Sequence, residues 1–358
     1  MQKITKRIIA STTWSTTADM TPIDLPREGL ITEVTIRFNN TATLTATALD
    51  DWFRRGLTNI KILGDGGRAF LGMSGFQMST MLSLWQEAYL GCPTLHSNGA
   101  GIALASPDVG SATSVSVFKW HPGSNPNDPF DLTAAIPAKA LSTLQILLTT
   151  AIGSVVDPNG LTTAGTINYE ICEVLPDNGV PANLMVPTGS TLQYTHTATY
   201  SDFSYEIDIP AGAWLRSIIC RFTDHTAAPA QRRTDTTVTG VRIRLPKTGQ
   251  LVLEQNIYEL KHAMASRFDF RGCAGEVGPL GAIATTRPAP GALLNIVPSG
   301  FAIIDLRPFG NPLYGLDLRN YQTGDFKLGL TIGAYGAGDF STFYWDQLIQ
   351  VDQQLVGH

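Results

Sequence analysis

Apolar and polar residues alternate in Val34-Thr35-Ile36-Arg37-Phe38 and again in Tyr205-Glu206-Ile207-Asp208-Ile209, a period of two that predicts strands with one buried face. Pro210 ends the second run, because proline has no amide proton to give a ladder. Further strands are predicted at Asn59–Leu63, Val115–Trp120, Leu144–Leu148, Phe301–Leu306, Asp325–Leu330 and Phe343–Val351. Helical spacing takes over at three places. Leu49–Arg55 reads as a short helix closed by Gly56, where a left-handed backbone costs glycine little. Met78, Met81, Leu82, Trp85, Ala88 and Tyr89 fall on one stripe, as do Ile257, Leu260, Met264 and Phe268. Each stripe predicts a helix lying over a sheet edge.

The pattern occurs twice. Ile31, Val34, Ile36, Arg37 and Phe38 are answered by Leu215, Ile218, Cys220, Arg221 and Phe222 at an offset of 184. Thr58-Asn59-Ile60-Lys61-Ile62 is answered by Thr239-Gly240-Val241-Arg242-Ile243 at 181, and the helical stripes follow at 179. A glycine turn, Gly64-Asp65-Gly66-Gly67 or Lys247-Thr248-Gly249, stands between strand and helix each time. Three landmarks in one order with a slowly drifting offset predict a duplicated architecture. The copies span about residues 29 to 150 and 213 to 335.

Between the strands lie long Gly/Pro/Asn/Ser-rich stretches at Cys92–Gly110, Pro122–Pro129 and Arg271–Gly300, which read as loops at the ends of the strands. His225–Thr237, with Arg232 and Arg233, reads as a polar loop. Leu175–Thr191 carries Pro176, Pro181 and Pro187 and is the natural hinge. The organisation expected is an N-terminal arm over 1–19, a first domain over 20–182, a second over 183–350 and a tail over 351–358. In the arm, Lys3, Lys6 and Arg7 precede any acidic residue.

Composition narrows the class. The 358 residues suffice for two domains with cores of their own. Charged residues make up 15 % and the net charge is −5, which excludes a protein that coats nucleic acid with a basic face. With 34 glycines and 21 prolines among many Val, Ile, Leu and Thr, the texture is all-β with a few helices. The longest apolar stretch, Leu144–Val156, is too short and too interrupted to cross a bilayer as a helix. Lys3, Lys6 and Arg7 lead into a polar Ser/Thr stretch, so no secretory signal is expected there.

Catalytic chemistry finds little support. Cys92, Cys172, Cys220 and Cys273 are scattered, with no Cys-x-x-Cys pair, and predict free thiols in a reducing compartment. His96, His121, His196, His225, His262 and His358 show no ligand spacing. The glycines at 64, 66 and 67 lack the Lys-Ser/Thr of a phosphate loop. Asp50 with Asp51, and Asp305 with Asp317, are the only carboxylate pairs worth weighing for glycoside hydrolysis, and solvated charge is the simpler reading of each. Asn39-Asn40-Thr41 matches a glycosylation acceptor by accident.

One resemblance accounts for the whole. The repeated strand ending in Arg-Phe, the hairpin strand and the single helix are followed in the second copy by Gly300-Phe301-Ala302-Ile303-Ile304-Asp305-Leu306-Arg307, Gly315-Leu316-Asp317-Leu318-Arg319 and Thr323-Gly324-Asp325-Phe326. From about residue 20 to 350 this resembles the double jelly-roll major capsid proteins of tailless icosahedral bacteriophages, especially the corticovirus-like branch. In the first copy Asp131-Leu132 stands where Asp317-Leu318 does, after a longer loop.

The resemblance implies two tandem jelly-roll β-sandwich domains, no enzyme activity and no cofactor. It implies a coat protein assembled in the host cytoplasm, three copies of which form a pseudo-hexameric capsomer of a virion. Partners would be further copies of the chain, penton and minor capsid proteins, and an internal membrane or the genome. Lys3, Lys6 and Arg7 are the candidate inner-surface contact, with incidental charge on an untied tail as the competing reading. Loops at 91–114, 121–130 and 271–299 are expected at barrel ends. The alternative is a tandem jelly-roll protein that binds or cleaves glycans, which an exposed Trp/Tyr platform or two converging carboxylates would favour.

Overall fold

The computed structural model describes residues 3–14, 18–44, 57–74, 94–97, 110–123, 128, 130–151, 161–162, 165–176, 181, 183–225, 232–268, 300–307 and 315–350. The first half supplies β1 (Lys3–Trp14), β2 (Ala18–Asp19), β3 (Ile23–Asp24), β4 (Leu30–Leu44), β5 (Leu57–Gly64), β6 (Arg68–Ser74), β7 (Thr94–Ser97), β8 (Gly110–Trp120), β9 (Ile136–Pro137), β10 (Leu144–Thr150), β11 (Leu161–Thr162) and β12 (Gly165–Leu175). The second supplies β13 (Met185–Thr195), β14 (Tyr200–Asp208), β15 (Trp214–Asp224), β16 (Arg232–Arg233), β17 (Val238–Leu245), β18 (Gln250–Asn256), α1 (Ile257–Phe268), β19 (Phe301–Asp305), β20 (Leu316–Asp317), β21 (Lys327–Ile332) and β22 (Phe340–Gln350).

The chain divides into two compact units, one built on Met1–Ser190 and one on Thr191–Phe270 with Asn295–Gln347. In the first, one sheet runs β1-β12-β4-β8-β7 and the other sets β2 and β3 on β10, followed by β5 and β6. In the second the corresponding orders are β13-β22-β15, with β19 also on β15, and β14-β21-β17-β18. With β2 and β3 counted as one strand, each unit threads eight main strands alike: first-eighth-third-sixth in one sheet, second-seventh-fourth-fifth in the other. This is the Greek-key order of a jelly roll.

The hairpins form where their residues dictate. Asp65 and Gly66 have φ of 43° and 73°, the left-handed pair that a two-residue turn matched to strand twist requires. Asp65 Oδ1 then accepts hydrogen bonds from Ser142 N at 2.6 Å and Thr143 N at 3.1 Å, which ties the β5–β6 turn to the start of β10. In the second unit β17 and β18 pair from Gly240–Asn256 to Leu245–Gln250. Helix α1 follows directly. Asn256 Oδ1 accepts from Glu259 N at 2.9 Å while Glu259 Oε2 accepts from Asn256 N at 3.0 Å, a reciprocal capping box.

The first unit buries Trp14, Ile36, Ile60, Ile62, Phe70, Leu71, Tyr169 and Ile171; the second buries Leu215, Ile218, Phe222, Val241, Ile243, Leu328, Leu330, Phe343 and Trp345. Each such side chain contributes about 1.5–3 kcal/mol on transfer from water.

Four expectations change. Lys3–Trp14, expected as an arm outside the barrels, is the first strand of the first jelly roll, pairing with β12 from Lys3–Leu175 to Trp14–Gly165. The loop expected over Cys92–Gly110 contains β7, which pairs with β8. Arg232 and Arg233, placed in a polar loop, form β16 against β15. Strand β4 was expected to bury one face, yet Glu33 and Thr35 on its other face are buried too. The helices expected at Leu49–Arg55 and around Met78–Tyr89 lie outside the described residues, as do Asp50, Asp51, Cys92 and Cys273.

Candidate functional site

The densest charge in the first unit crosses the sheet β1-β12-β4-β8. Lys6 lies opposite Cys172 in the β1–β12 ladder, and Cys172 lies opposite Glu33 in the β12–β4 ladder. The Lys6 ammonium spans that strand to donate to Glu33 Oε1 at 3.0 Å, and it lies 3.3 Å from Glu170 Oε1. Lys119 of β8 holds the other Glu33 oxygen at 2.8 Å. Arg37 of β4 meets Glu170 Oε2 at 3.1 Å, and Arg7 lies 4.0 Å from Glu173 Oε2. Glu173 Oε1 accepts from the amides of Glu28 and Gly29 at 3.0 and 2.7 Å.

The long stems of the basic residues close this face while their heads reach water. The Glu33 side chain keeps 1 % of its surface and that of Lys6 keeps 45 %. Burial pushes the Glu33 carboxyl upward, but the hydrogen bonds and charges of Lys119 and Lys6 outweigh burial and hold it below its ordinary value. A general base working near neutrality needs the opposite shift. The chemistry of the cluster is cohesion of the sheet.

Of the three residues expected to contact the inner surface, Lys6 and Arg7 therefore face carboxylates of the same sheet. Lys3 is the first residue of β1, and its side chain lies outside the described set.

The carboxylates weighed for glycan cleavage are engaged in the same way. Asp305 receives a two-point fork from Arg307, Nε to Oδ1 at 2.8 Å and Nη2 to Oδ2 at 2.7 Å. Asp317 receives the same fork from Arg319 at 2.9 and 2.8 Å, which holds its carboxyl below the usual range. The two Asp-Leu-Arg triplets are thus self-neutralised turns, a signal present in the sequence as a carboxylate followed two residues on by arginine. Trp14, Trp120, Trp214 and Trp345, the tryptophans among the described residues, are buried, while Tyr258, Tyr321 and Tyr335 are exposed. Among the described residues no group of three His, Cys, Asp or Glu side chains could hold a metal.

Sequence reasoning missed the buried pair of the second unit. Arg216 Nη2 donates to Asp346 Oδ1 at 2.7 Å, and Ser217 Oγ donates to Asp346 Oδ2 at 3.1 Å. Nearby in sequence, Asp339 accepts from the amides of His225 at 2.7 Å and Gly336 at 2.8 Å, closing the turn between β21 and β22. His196 shares a 2.7 Å hydrogen bond with Ser341 Oγ, and burial pushes its pKa down to about 4. Cys172 and Cys220 are free and buried.

Nothing in these clusters is a reaction centre, so the path of the backbone carries the comparison with known proteins. No protein-family model matches the sequence, and no curated protein does. Among solved structures the chain is similar to the major capsid protein of Sulfolobus turreted icosahedral virus, with 13 % identity, a TM-score of 0.69 and 99 % of both chains covered. The major capsid protein P2 of bacteriophage PM2 covers 99 % of both chains at 12 % identity and a TM-score of 0.53. The PBCV-1 capsid covers 97 % of this chain and 94 % of its own at 11 % identity and 0.59. The fold is the double jelly roll. What is shared at such identity is the order and direction of the strands, over 99 % of both chains.

Proposed function

We propose that the chain is a major capsid protein, three copies of which form a pseudo-hexameric capsomer that tiles an icosahedral shell. The observation that carries this reading is the whole-chain similarity to a major capsid protein, 99 % of both chains at a TM-score of 0.69. A duplicated barrel suits the role, because three chains with two similar barrels each present six corners to their neighbours. Penton and minor capsid proteins would then complete the shell. Lys3, Lys6 and Arg7 would face its interior, where the exposed parts of Lys6 and Arg7 meet anionic lipid or nucleic acid.

Multi-angle light scattering of the purified protein tests the assembly step. A particle of about three times 38.5 kDa is expected, with interfaces well above the roughly 1,600 Å² of standard complexes. A monomer at micromolar concentration in mild buffer overturns the reading. Replacing Lys3, Lys6 and Arg7 with Gln is expected to leave trimers intact and to impair filling of particles; normal filled particles would remove the inner-surface role alone.

A further inference from the structure

Both jelly rolls interrupt the same edge strand, each by its own means. In the first unit the second strand is split into β2 and β3, which pair with β10 at Ala18–Asp19 and Ile23–Asp24, and exposed Pro22 stands in the break. In the second unit β14 is continuous in sequence but not in register. Tyr200 lies opposite Ile332 of β21 and Tyr205 opposite Leu330, so the four residues 201–204 face Thr331 alone, where a regular ladder holds one. Among the described residues β14 pairs with β21 on one side and ends its sheet on the other.

The surrounding sheet is built to hold this bulge. Asp202 and Phe203 have φ of 52° and 57°, the left-handed region that residues with a side chain enter only where their surroundings keep them there. Phe203 N donates to Thr331 Oγ1 at 3.1 Å, and Arg242 of β17 sets its guanidinium 4.9 Å from the Phe203 ring centroid while Nη2 donates to Asp202 O at 3.4 Å. Two glycines make room beneath: a Cβ at Gly240 would come within 2.9 Å of the Phe203 ring, and one at Gly329 within 2.7 Å of Phe203 O. Without the bulge the strand would read Tyr200-Ser201-Tyr205-Glu206-Ile207-Asp208, an unbroken alternation of the kind that pairs with another chain at an open edge. Its carboxylates give that edge little cover, because Glu206 and Asp208 are bonded to Arg244 and Lys327 of their own sheet.

We propose that the Asp202–Phe203 bulge closes the β14 edge to a second copy of this chain, as the break at Pro22 closes the equivalent edge of the first unit. A bulge at a sheet edge bends the strand and ends its pairing, and the strained backbone is kept because Thr331, Arg242 and the two glycines hold it. Edge association is thereby left to other surfaces of the molecule.

Deleting Asp202, Phe203 and Ser204 tests this, since it leaves Ser201 opposite Thr331 and restores the ladder. Light scattering of the full-length deletion variant is expected to show open-ended association, with masses about tenfold the parent's or more at micromolar concentration and the parent's far-ultraviolet spectrum retained. Adding Ser201→Lys to the deletion puts a charge back on the edge and is expected to return the parent's mass. The parent's own mass is the reference, so the outcome is independent of the capsomer reading. A folded deletion variant of unchanged mass overturns the proposal, as does association that Ser201→Lys leaves untouched. If the deletion variant fails to fold, hydrogen exchange on the unmodified protein decides. Protection of alternate amides over 205–208 marks a one-sided edge and supports the closure; protection of every amide there means that another chain already pairs with β14 and overturns it.

Discussion

Strands β4 and β15 hold the same place in the two jelly rolls and read alike, yet their paired arginines have opposite fates. The Arg37 side chain keeps 46 % of its surface while Arg221 keeps none. The face of β4 that bears Arg37 also bears Glu33 and Thr35, whereas the matching face of β15 bears Ser217 and Ile219. In the first unit that face is sealed by cross-strand ion pairs with Lys6, Lys119 and Glu170. In the second it carries Ser217, Ile219 and Arg221, and Arg221 turns its guanidinium to Thr223 of its own strand. One strand order therefore tolerates two ways of burying a sheet face. The first way depends on charges staying matched across neighbouring strands, and the second on the surroundings of one wholly buried guanidinium.

That difference is broken most severely by removing one member of a buried pair. Asp346→Ala removes the carboxylate that Arg216 and Ser217 share, and Glu33→Ala removes the one that Lys6 and Lys119 share; each is expected to cost about 3–5 kcal/mol, read as a loss of roughly 10 °C or more in the melting midpoint. Replacing both members, Arg216→Met with Asp346→Leu, is expected to return stability to within about 1 kcal/mol of the parent, because well-packed apolar groups substitute for buried ion pairs. The corresponding rescue in the first unit, Glu33→Leu with Lys119→Met, is expected to fall short. Lys6 and Glu170 would remain joined to a network that had lost its centre. Equal rescue in both units would show that the ladder is a set of independent pairs.

Acid sharpens the same contrast. His196 lies against Ser341, near Asp339 and edge-on to Tyr205 with ring centroids 5.4 Å apart, and its pKa of about 4 lies below the ordinary 6.5. The unfolded chain binds the proton first, so this stability is complete above pH 6.5 and is lost as pH falls toward 4. It amounts to about 3 kcal/mol for a shift of this size. Glu33, whose folded carboxyl is depressed, contributes stability that is present above the ordinary 4.5 and lost as pH falls through its folded value. His121 in the first unit is also pushed down by burial. Melting curves of His196→Gln between pH 7 and 4 should lose much of the upper part of the acid slope. An unchanged slope would mean that His196 does not titrate in the folded protein.

What was legible in the sequence was local. The β5–β6 hairpin is dictated by Asp65-Gly66, the helix by its stripe, and the repeat by three such landmarks in a fixed order. Strand β1 was not legible, because its partner β12 lies some 160 residues away and its Lys, Thr and Ser residues read as a solvated tail. Nor was the burial of Glu33, since alternation places a carboxylate at the surface unless its cross-strand neighbours are known. Lys6 and Arg7 lie opposite Cys172 and Ile171 and reach diagonally to Glu170 and Glu173, contacts that no local pattern announces.

A finer comparison sets Arg37→Ala against Arg221→Ala. Half-exposed Arg37 pairs with one carboxylate, so its loss is expected to cost no more than about 1 kcal/mol. Loss of wholly buried Arg221 leaves a cavity and unpaired groups, and is expected to cost about 3 kcal/mol. Similar values would mean that the two faces are equivalent in energy despite their different burial.

The smallest effect is expected within one unit, between the two Asp-Leu-Arg turns. Both aspartates pair with β15, Asp305 opposite Ser217 and Asp317 opposite Trp214, and both arginines make the same fork. Burial separates them: the side chains of Arg307 and Asp305 keep 9 % and 6 % of their surface, against 46 % and 45 % for Arg319 and Asp317. Water already solvates the exposed fork, so its Coulomb energy is nearly matched by hydration and side-chain entropy. The Arg319 guanidinium also lies 3.6 Å from the ring centroid of Trp214, a cation–π interaction of about 0.5–1 kcal/mol at such a site. Arg319→Ala should therefore cost about 1 kcal/mol, and Arg319→Lys should recover less than half of it, because a lysine cannot make the planar fork. Arg307→Ala, which leaves Asp305 charged and nearly dry, should cost about 2 kcal/mol more. Denaturant melts of the three variants measure these differences directly. A larger loss at Arg319 than at Arg307 would place the weight of this motif on the stacked ring and not on the buried fork.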